Sequence, residues 1–239
     1  MKPIKIFLLS VAFALMLCAG ASAVTIDVAS TSGTWTAVTG APTSFSGLGT
    51  SSIRWGDSTG FGQSGYDFLG VPPPIQNNVA EGTLFNLGEF HHINQPITGN
   101  AITGATLDVN VHLNIPSGGS TFVQDFIYNL SHDETPNIAG QCPPGSKSVC
   151  DDIVGILNTV PNQSIIVNGT DYVIQLIGFS QDGGVTVTSQ FLTQENNDNA
   201  ANLYGKFVTR STAVPEPGMM ILLGSGLVGL IGLKRKFRK

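Results

Sequence analysis

An unbroken alternation of apolar and polar side chains over residues 107–115 constrains the fold more than any other feature of the sequence. Leu107, Val109 and Val111 begin an apolar series at every second position, and polar residues fill the positions between them. Successive side chains of a β-strand point to opposite faces of a sheet, so the pattern predicts a strand with one buried and one solvated face. Residues 116–119 end it with Pro-Ser-Gly-Gly, and residues 121–130 are expected to return as a Phe- and Tyr-rich partner.

Turn signals at short intervals predict further strands. Asn168-Gly169 separates two apolar runs and supplies the two positive-φ positions of a type I′ hairpin turn. Residues 181–184, Gln-Asp-Gly-Gly, predict another turn, whereas residues 151–157 are the only stretch that favours one or two helical turns. The other predicted strands are residues 24–29, 33–39, 51–55, 66–71, 83–90, 165–167, 170–174 and 185–188. This pattern favours an all-β antiparallel β-sandwich, jelly-roll-like in one variant, with a barrel as the alternative.

The N terminus is typical of a secretory signal peptide over residues 1–23. Lys2 and Lys5 give the positive region, residues 6–17 the apolar region and residues 21–23, Ala-Ser-Ala, the cleavage site. The residue before Cys18 is too large for lipoprotein processing, so lipidation is not expected. This prediction implies the Sec translocon and signal peptidase as partners and an oxidising destination for the exported domain, residues 24–212.

The exported domain is strongly acidic. Residues 24–212 contain 15 acidic and four basic residues, a net charge of −11, whereas the whole chain carries −5. Nucleic acid and anionic lipid are therefore not expected partners. Charged residues make up 11% of the chain, against ~25% in a typical soluble domain, so solubility must come from Ser, Thr, Asn and Gly. The length suffices for one domain with its own core.

Two cysteines remain after the signal peptide, Cys142 and Cys150. An even pair in an exported protein most simply forms a disulfide, here closing a short loop. A metal site is the alternative, but a second close pair of ligands is missing from the surrounding sequence.

The C terminus combines three features in a fixed order. Residues 215–217 are Pro-Glu-Pro, residues 218–233 contain no charged side chain, and five basic residues follow. As a helix the apolar segment would rise ~24 Å, slightly less than the ~30 Å hydrocarbon core, and flanking basic side chains can reach the headgroups. Positive charge stays cytoplasmic, so the preceding domain is expected outside. The basic residues are Lys234, Arg235, Lys236, Arg238 and Lys239.

This order resembles the PEP-CTERM sorting signal of Gram-negative bacteria, and we assign it to residues 213–239. The resemblance implies a single C-terminal transmembrane helix, transient anchoring in the inner membrane and processing by an exosortase-type membrane enzyme. It also implies delivery to the cell surface or extracellular matrix, with exopolysaccharide as a further partner. Pro215, Glu216 and Pro217 are the expected recognition residues, because the prolines hold the backbone extended. A plain C-terminal anchor is the alternative.

A second resemblance lies inside the exported domain. Residues 87–97, Leu-Gly-Glu-Phe-His-His-Ile-Asn-Gln-Pro-Ile, resemble the motif of the THxN family of PEP-CTERM proteins, also described as carrying a choice-of-anchor K domain. His92, Asn94 and Pro96 match, while His91 stands where the family name expects Thr. Other matching pieces are residues 53–56, 135–137 and 178–179. The resemblance implies an exported β-rich domain with alternative anchors and no known reaction.

The histidines do not predict a metal site. In a regular strand His91 and His92 point to opposite faces, so one ion cannot bind both without a bulge. We expect His92 and Asn94 to hydrogen-bond a strand end before Pro96 instead. Calcium fits better than a transition metal, since acidic loops offer hard oxygen ligands, although none has EF-hand spacing. These loops are residues 133–134, 151–152 and 195–199, and His112 and His132 lie elsewhere. The prediction is no cofactor, with calcium as the alternative.

Catalytic motifs are scarce. Residues 62–65, Gly-Gln-Ser-Gly, lack the final glycine of a nucleophile elbow, and H-E-x-x-H and P-loop patterns are absent from the sequence. Four glutamates could supply the carboxylate pair of a glycosidase, and four aromatic residues could stack on sugars, although their alternating positions favour core packing. These are Glu81, Glu89, Glu134 and Glu195, and Trp35, Trp55, Tyr66 and Phe68. The sequence predicts a non-enzymatic exported protein. A calcium-supported carbohydrate-binding or adhesive module is one alternative, and a glycan-active hydrolase is another.

Overall fold

The computed structural model describes residues 24–73, 76–116 and 119–210. Within these residues the chain forms fourteen β-strands and no α-helix, so the all-β prediction is confirmed there. No helix of this part of the chain is long and apolar enough to span a bilayer. The predicted signal peptide and C-terminal transmembrane helix lie outside the described residues.

The strands run along the chain as follows: β1 (Thr25–Gly40), β2 (Ser52–Trp55), β3 (Asp57–Ser58), β4 (Ser64–Gly70), β5 (Gln76–Ala80), β6 (Leu84–Asn94), β7 (Ile97–Thr98), β8 (Ile102–Ile115), β9 (Ser120–Asp133), β10 (Asp152–Ile156), β11 (Ile165–Val167), β12 (Thr170–Ser180), β13 (Gln190–Thr193) and β14 (Asn197–Thr209).

Two six-stranded antiparallel sheets pack as a β-sandwich. The first sheet has the order β13-β10-β9-β8-β1-β5 and the second β11-β12-β14-β6-β4-β2, while β3 and β7 form a small separate pair. Each large sheet keeps two edge strands, so neither closes on itself. Their inner faces share one apolar core, in which Tyr128 of the first sheet donates a hydrogen bond to the Ile174 carbonyl of the second (3.0 Å).

The centre of the first sheet confirms the alternation read from the sequence. Leu107, Val109, Val111 and Leu113 are fully buried, and His112 between them is exposed. The return strand β9 pairs with β8 over most of its length, from Gly104 opposite Ser131 to Ile115 opposite Ser120.

The predicted hairpin turn is also confirmed. Asn168 and Gly169 both have positive φ, 51° and 79°, and they join β11 to β12. A type I′ turn requires this geometry at both central positions, and Asn and Gly adopt it at low energetic cost.

Two local predictions were wrong. Residues 151–157 were expected to form helical turns, but β10 is a strand because its β-branched residues pair with β9 on one side and β13 on the other. Residues 185–188 were expected to form a strand, yet only Thr188 forms a bridge, to Phe179. Asp182 accepts hydrogen bonds from the Ser180 hydroxyl (2.8 Å) and the Thr186 amide (2.9 Å), and such local bonds compete with sheet pairing.

The first predicted strands merge into one. Residues 24–29 and 33–39 were taken as separate strands, whereas β1 continues through both and absorbs the irregular pattern as register shifts, for example between Val28 and Ser30. The short strands β3, β5, β7 and β13 and the long strand β14 were not predicted. Polar residues such as Asn197 to Asn199 open β14, and they hide its strand character in the sequence.

Candidate functional site

Strand β6 carries the histidine pair and turns its two rings to opposite faces, as predicted. His91 lies on the outer face, where Nδ1 is 2.9 Å from a carboxylate oxygen of Asp198. His92 is fully buried and points between the sheets. The strand parity therefore assigns the two neighbouring imidazoles different surroundings, and only His92 faces the interior.

His92 meets two partners from the opposite sheet. His132 at the end of β9 and Asp152 at the start of β10 are buried, and one ligand-capable atom from each of the three residues lies within 4.8 Å of the other two. We call His92, His132 and Asp152 the interior cluster. All three residues were visible in the sequence, but nothing there predicted that they meet, because their positions along the chain follow no ligand spacing.

The imidazole of His92 is held by one hydroxyl. Its Nδ1 is 2.7 Å from Thr193 Oγ1, and the same hydroxyl donates its proton to the Asp152 carbonyl (3.3 Å). Since a hydroxyl has one proton, Nδ1–H of His92 donates to Thr193, and Nε2 carries the free lone pair. That Nε2 atom is buried and has no hydrogen-bond partner among the described residues.

His132 is held in a similar way. Its Nδ1 lies 2.6 Å from the hydroxyl of Tyr66, and its Nε2 lies 3.2 Å from Oε2 of Glu134. The His132 side chain is fully buried, whereas a quarter of the Glu134 side chain remains exposed at the edge of the cluster.

The two carboxylate oxygens of Asp152 have different surroundings: Oδ1 contacts Thr135, and Oδ2 makes no such contact. Oδ1 accepts hydrogen bonds from the Thr135 amide (2.8 Å) and the Thr135 hydroxyl (3.1 Å). Oδ2 is buried and makes no hydrogen bond to the described residues. Buried polar atoms are almost always paired in proteins, so two such atoms in one cluster require an explanation.

Burial governs the protonation of these groups. Burial lowers the pKa of His92 well below its usual value, and the neighbouring His132 lowers it further. Burial also lowers the pKa of His132 to about 4, although the charge of Asp152 acts to raise it. Burial raises the pKa values of the Asp152 and Glu134 carboxyl groups, and their mutual repulsion adds to the effect on Asp152. The imidazoles are therefore neutral at physiological pH, and ionised carboxylates here lack a compensating positive charge.

Aromatic rings enclose the cluster. Trp55 stacks on His92 with ring centroids 5.9 Å apart, and Tyr66 contacts both His92 (5.0 Å) and His132 (5.6 Å). The four aromatic residues considered for sugar stacking are all in the core, with at most 1% of each exposed. Core packing is thus confirmed for Trp35, Trp55, Tyr66 and Phe68.

Asn94 and Pro96, the two other residues that match the THxN motif, make separate contacts. Asn94 is fully buried and its amide donates to the Thr193 carbonyl (3.0 Å), while the Pro96 carbonyl accepts from the Thr59 hydroxyl (2.7 Å). His92 and Asn94 do bind a strand end, but it is Thr193 at the end of β13 and not the strand end before Pro96 that was expected.

A disulfide joins Cys142 and Cys150, as predicted, and closes the loop that leads into β10. Asp151 caps this loop by accepting hydrogen bonds from the amides of Lys147 (3.0 Å) and Ser148 (2.7 Å). The loop and its covalent link therefore precede Asp152 directly and help to place it.

The acidic loops considered for calcium divide between different roles. Glu134 and Asp152 lie together at the cluster, and Glu195 is close enough for its charge to raise the pKa of Asp152 further. Asp151 is occupied by its own loop and Asp198 by His91. The loops therefore converge in part, at a place where imidazole nitrogens are also present.

The expected recognition residues Pro215, Glu216 and Pro217 lie outside the described residues, as do the five basic residues at the C terminus. Comparison with known proteins found a match there: residues 213–236 fit the family model described as the PEP-CTERM protein-sorting motif. No curated protein matches the chain. The chain thus carries a PEP-CTERM sorting motif, which indicates an exported protein that an exosortase sorts to a cell-surface or extracellular fate.

Proposed function

We propose that this chain is a non-enzymatic surface or extracellular-matrix protein, anchored transiently in the inner membrane and released by an exosortase-type enzyme. In this proposal residues 1–23 are a signal peptide that signal peptidase removes after Sec export, residues 24–212 are the exported sandwich, and residues 213–239 are the sorting signal. The sorting motif at residues 213–236 is the observation that carries the proposal.

The disulfide adds independent support for export. Disulfides persist in oxidising compartments and are rare in the reducing cytosol, and Cys142 and Cys150 are bonded in the fold. The strongly acidic exported domain also suits a neutral or cationic surface component, such as exopolysaccharide, better than it suits nucleic acid.

We further propose that the exported domain is of the THxN or choice-of-anchor K type. Its scattered matching pieces converge in space, because Trp55 stacks on His92 and Thr135 binds Asp152. The departure at His91 falls on the outer face of β6, away from the interior cluster. This geometry supports the assignment, since the matched His92 and Asn94 share the buried face.

The absence of catalysis is part of the proposal, and the positions of the candidate carboxylates favour it. Glu81 accepts a hydrogen bond from the Thr209 amide (2.9 Å), and Glu89 lies 3.7 Å from His91 on the outer face. A hydrolase would need two carboxylates across an open sugar-binding cleft. Glu134 and Glu195 do lie near each other, so measurable polysaccharide turnover that Glu134→Gln abolishes would contradict the proposal.

Replacement of the glutamate in the sorting signal tests the proposed processing. We expect Glu216→Gln to leave the protein in the inner-membrane fraction with its basic tail attached, whereas the unchanged protein reaches the cell surface. Cell fractionation with antibodies against the sandwich and against the tail measures both. Glu89→Gln is the matched control, since it makes the same change on the sandwich surface. Equal surface delivery of all three proteins would contradict the proposed role of Glu216.

Binding to glycan arrays separates the proposal from its main alternative. A carbohydrate-binding or adhesive module would bind a defined glycan class, and the aromatic residues most suited to stacking are buried in the sandwich. We therefore expect no array signal that depends on Trp35, Trp55, Tyr66 or Phe68. Glycan-specific binding by the purified protein would favour the adhesive alternative.

A further inference from the structure

We propose that His92, His132 and Asp152, with Glu134 as the fourth ligand, bind one divalent transition-metal ion, zinc by their ligand chemistry, that ties the two sheets together. His92 belongs to β6 of the second sheet, whereas the other ligands come from β9, β10 and the residue after β9 in the first sheet. A single ion at this place would therefore cross-link the sandwich from within.

The separations suit a compact coordination sphere. Four atoms bound to zinc at ~2.0–2.1 Å in a tetrahedron lie ~3.3 Å from one another. His132 Nε2 and Glu134 Oε2 are 3.2 Å apart, and the ligand atoms of the interior cluster lie within 4.8 Å of one another. Side-chain rotations that move these atoms by ~1–1.5 Å would close the sphere.

The free lone pairs point to the same conclusion. Nε2 of His92 and Oδ2 of Asp152 are buried without partners, while the opposite atom of each side chain is fixed by a threonine. Metal-bound histidines commonly donate their other ring N–H to a second group, and metal-bound carboxylates are hydrogen-bonded in turn. Thr193 and Thr135 supply those outer contacts here.

His132 fits the same arrangement. When Nε2 binds the metal, Nδ1 carries the proton and donates it to the Tyr66 oxygen, 2.6 Å away. Each imidazole is thus oriented through Nδ1 by a hydroxyl, which leaves its Nε2 atom available as a metal ligand.

Charge balance favours a divalent ion. As metal ligands, two neutral imidazoles and two deprotonated carboxylates carry a charge of −2, and no Lys or Arg makes an ion pair with the cluster in the part of the chain that the structure describes. A dication neutralises this charge, so it removes the penalty of burying unpaired carboxylates.

The donor set decides between metals. Two imidazole nitrogens and two carboxylate oxygens match the ligands of zinc, whereas calcium takes six to eight oxygens and magnesium an octahedron of oxygens. His92 and Asp152 are fully buried and His132 is 5% exposed, whereas a quarter of the Glu134 side chain is exposed, so the site is closed except beside Glu134. Closed four-ligand sites are structural rather than catalytic, because catalytic zinc keeps one position for water or substrate.

Zinc titration of the full-length protein tests the proposal. The chain is purified in detergent without a polyhistidine tag, stripped with EDTA, and titrated with zinc chloride. We expect one zinc per chain by elemental analysis and a rise in Tm of about 5–10 °C at a zinc concentration about 100 times the Kd. Unchanged Tm in molar excess of zinc, or a shift with calcium chloride and none with zinc, would overturn the proposal.

Variants locate the site. His92→Gln and Asp152→Asn should abolish stoichiometric binding and the zinc-dependent Tm shift, whereas His91→Gln, the adjacent histidine on the outer face, should retain both. Retained stoichiometry in both cluster variants would place the ion elsewhere and overturn the assignment.

Cobalt binding gives a second test that does not depend on whether the variants fold, because it uses only the unchanged protein. Cobalt chloride added to the stripped protein should give the intense visible absorption of tetrahedral Co²⁺, and zinc should displace it. Weak bands typical of an octahedral ion would contradict the four-ligand site.

Discussion

The two sheets of the sandwich contact each other through different interactions in two regions, along β8 and at the interior cluster. Along β8 the contacts are apolar, and Leu107, Val109 and Val111 are fully buried with no polar atom in their side chains. At the interior cluster the same sandwich buries two imidazoles and a carboxylate, and orients them through Thr193, Thr135 and Tyr66. The first region tolerates no added polarity, and the second depends on each of its polar partners.

The largest expected effect lies in the apolar region. Leu107→Ala should lower the free energy of unfolding by about 2–5 kcal/mol, because it removes buried methylene groups and leaves a cavity. Leu157→Ala makes the same change where two thirds of the side chain is exposed (67%), and it should change stability by less than about 0.5 kcal/mol. Urea denaturation of both variants measures the difference. Equal effects would contradict the assignment of β8 to the core.

The region of the interior cluster, unlike the apolar region, has a covalent link nearby, because the disulfide closes the loop before Asp152. Replacing Cys142 and Cys150 by Ala together should lower stability by about 2–3 kcal/mol, because the unfolded chain regains the entropy of a loop of this length. Thermal unfolding of the double variant measures this loss. Reducing agent should destabilise the unchanged protein similarly and leave the double variant unaffected, and any other result would contradict the loop-closure explanation.

Two opposite substitutions compare the polar and the apolar region directly. Thr193→Val removes the hydroxyl between His92 and the Asp152 carbonyl, while Val109→Thr adds a hydroxyl to the apolar region at nearly constant volume. Each should lower the free energy of unfolding by about 1–3 kcal/mol, because each leaves buried polar groups unpaired. Chemical denaturation measures both. A neutral Thr193→Val would show that its hydroxyl does not support the cluster.

The smallest expected effect is at the surface. Arg54 binds Asp67 through two nitrogens, at 2.7 and 2.9 Å. Burial acts to raise the pKa of Asp67, but the hydrogen bonds from Arg54 and Ser52, together with the positive charge of Arg54, outweigh it and the pKa is lowered. The stabilisation is therefore present above the unfolded pKa of ~3.9 and is lost as pH falls through the folded value.

Asp67→Asn measures this contribution. We expect a loss of about 1 kcal/mol or less at pH 7, because both side chains are partly exposed, and the gap between the two proteins should close in acid. Denaturation curves from neutral to acidic pH compare them. A gap that widens on acidification would contradict the lowered pKa.

The same contrast explains which parts of the molecule the sequence predicted. Strand β8 was predicted because alternation reports a half-buried strand directly, and the Asn168-Gly169 turn because its backbone geometry selects those residues. Strand β10 was misread, since its five residues depend on neighbours on both sides. The order of residues within a short segment does not reveal which strands will pair with it.

The interior cluster could not be predicted for a related reason. His92, His132 and Asp152 meet only because β6 lies in one sheet and β9 and β10 in the other, and sheet order is set by the whole chain. The strand parity of His92 was readable, and it correctly separated His92 from His91. The sorting motif, by contrast, is a contiguous segment, so its sequence alone identifies it.

Mass spectrometry of the protein extracted from the cell surface is the decisive test of export followed by sorting, because it reads both mature ends of the chain. We expect an N terminus at Val24 and a C terminus that lacks the basic tail, residues 234–239. Recovery of the intact chain from the cytosol, from Met1 to Lys239, would contradict it.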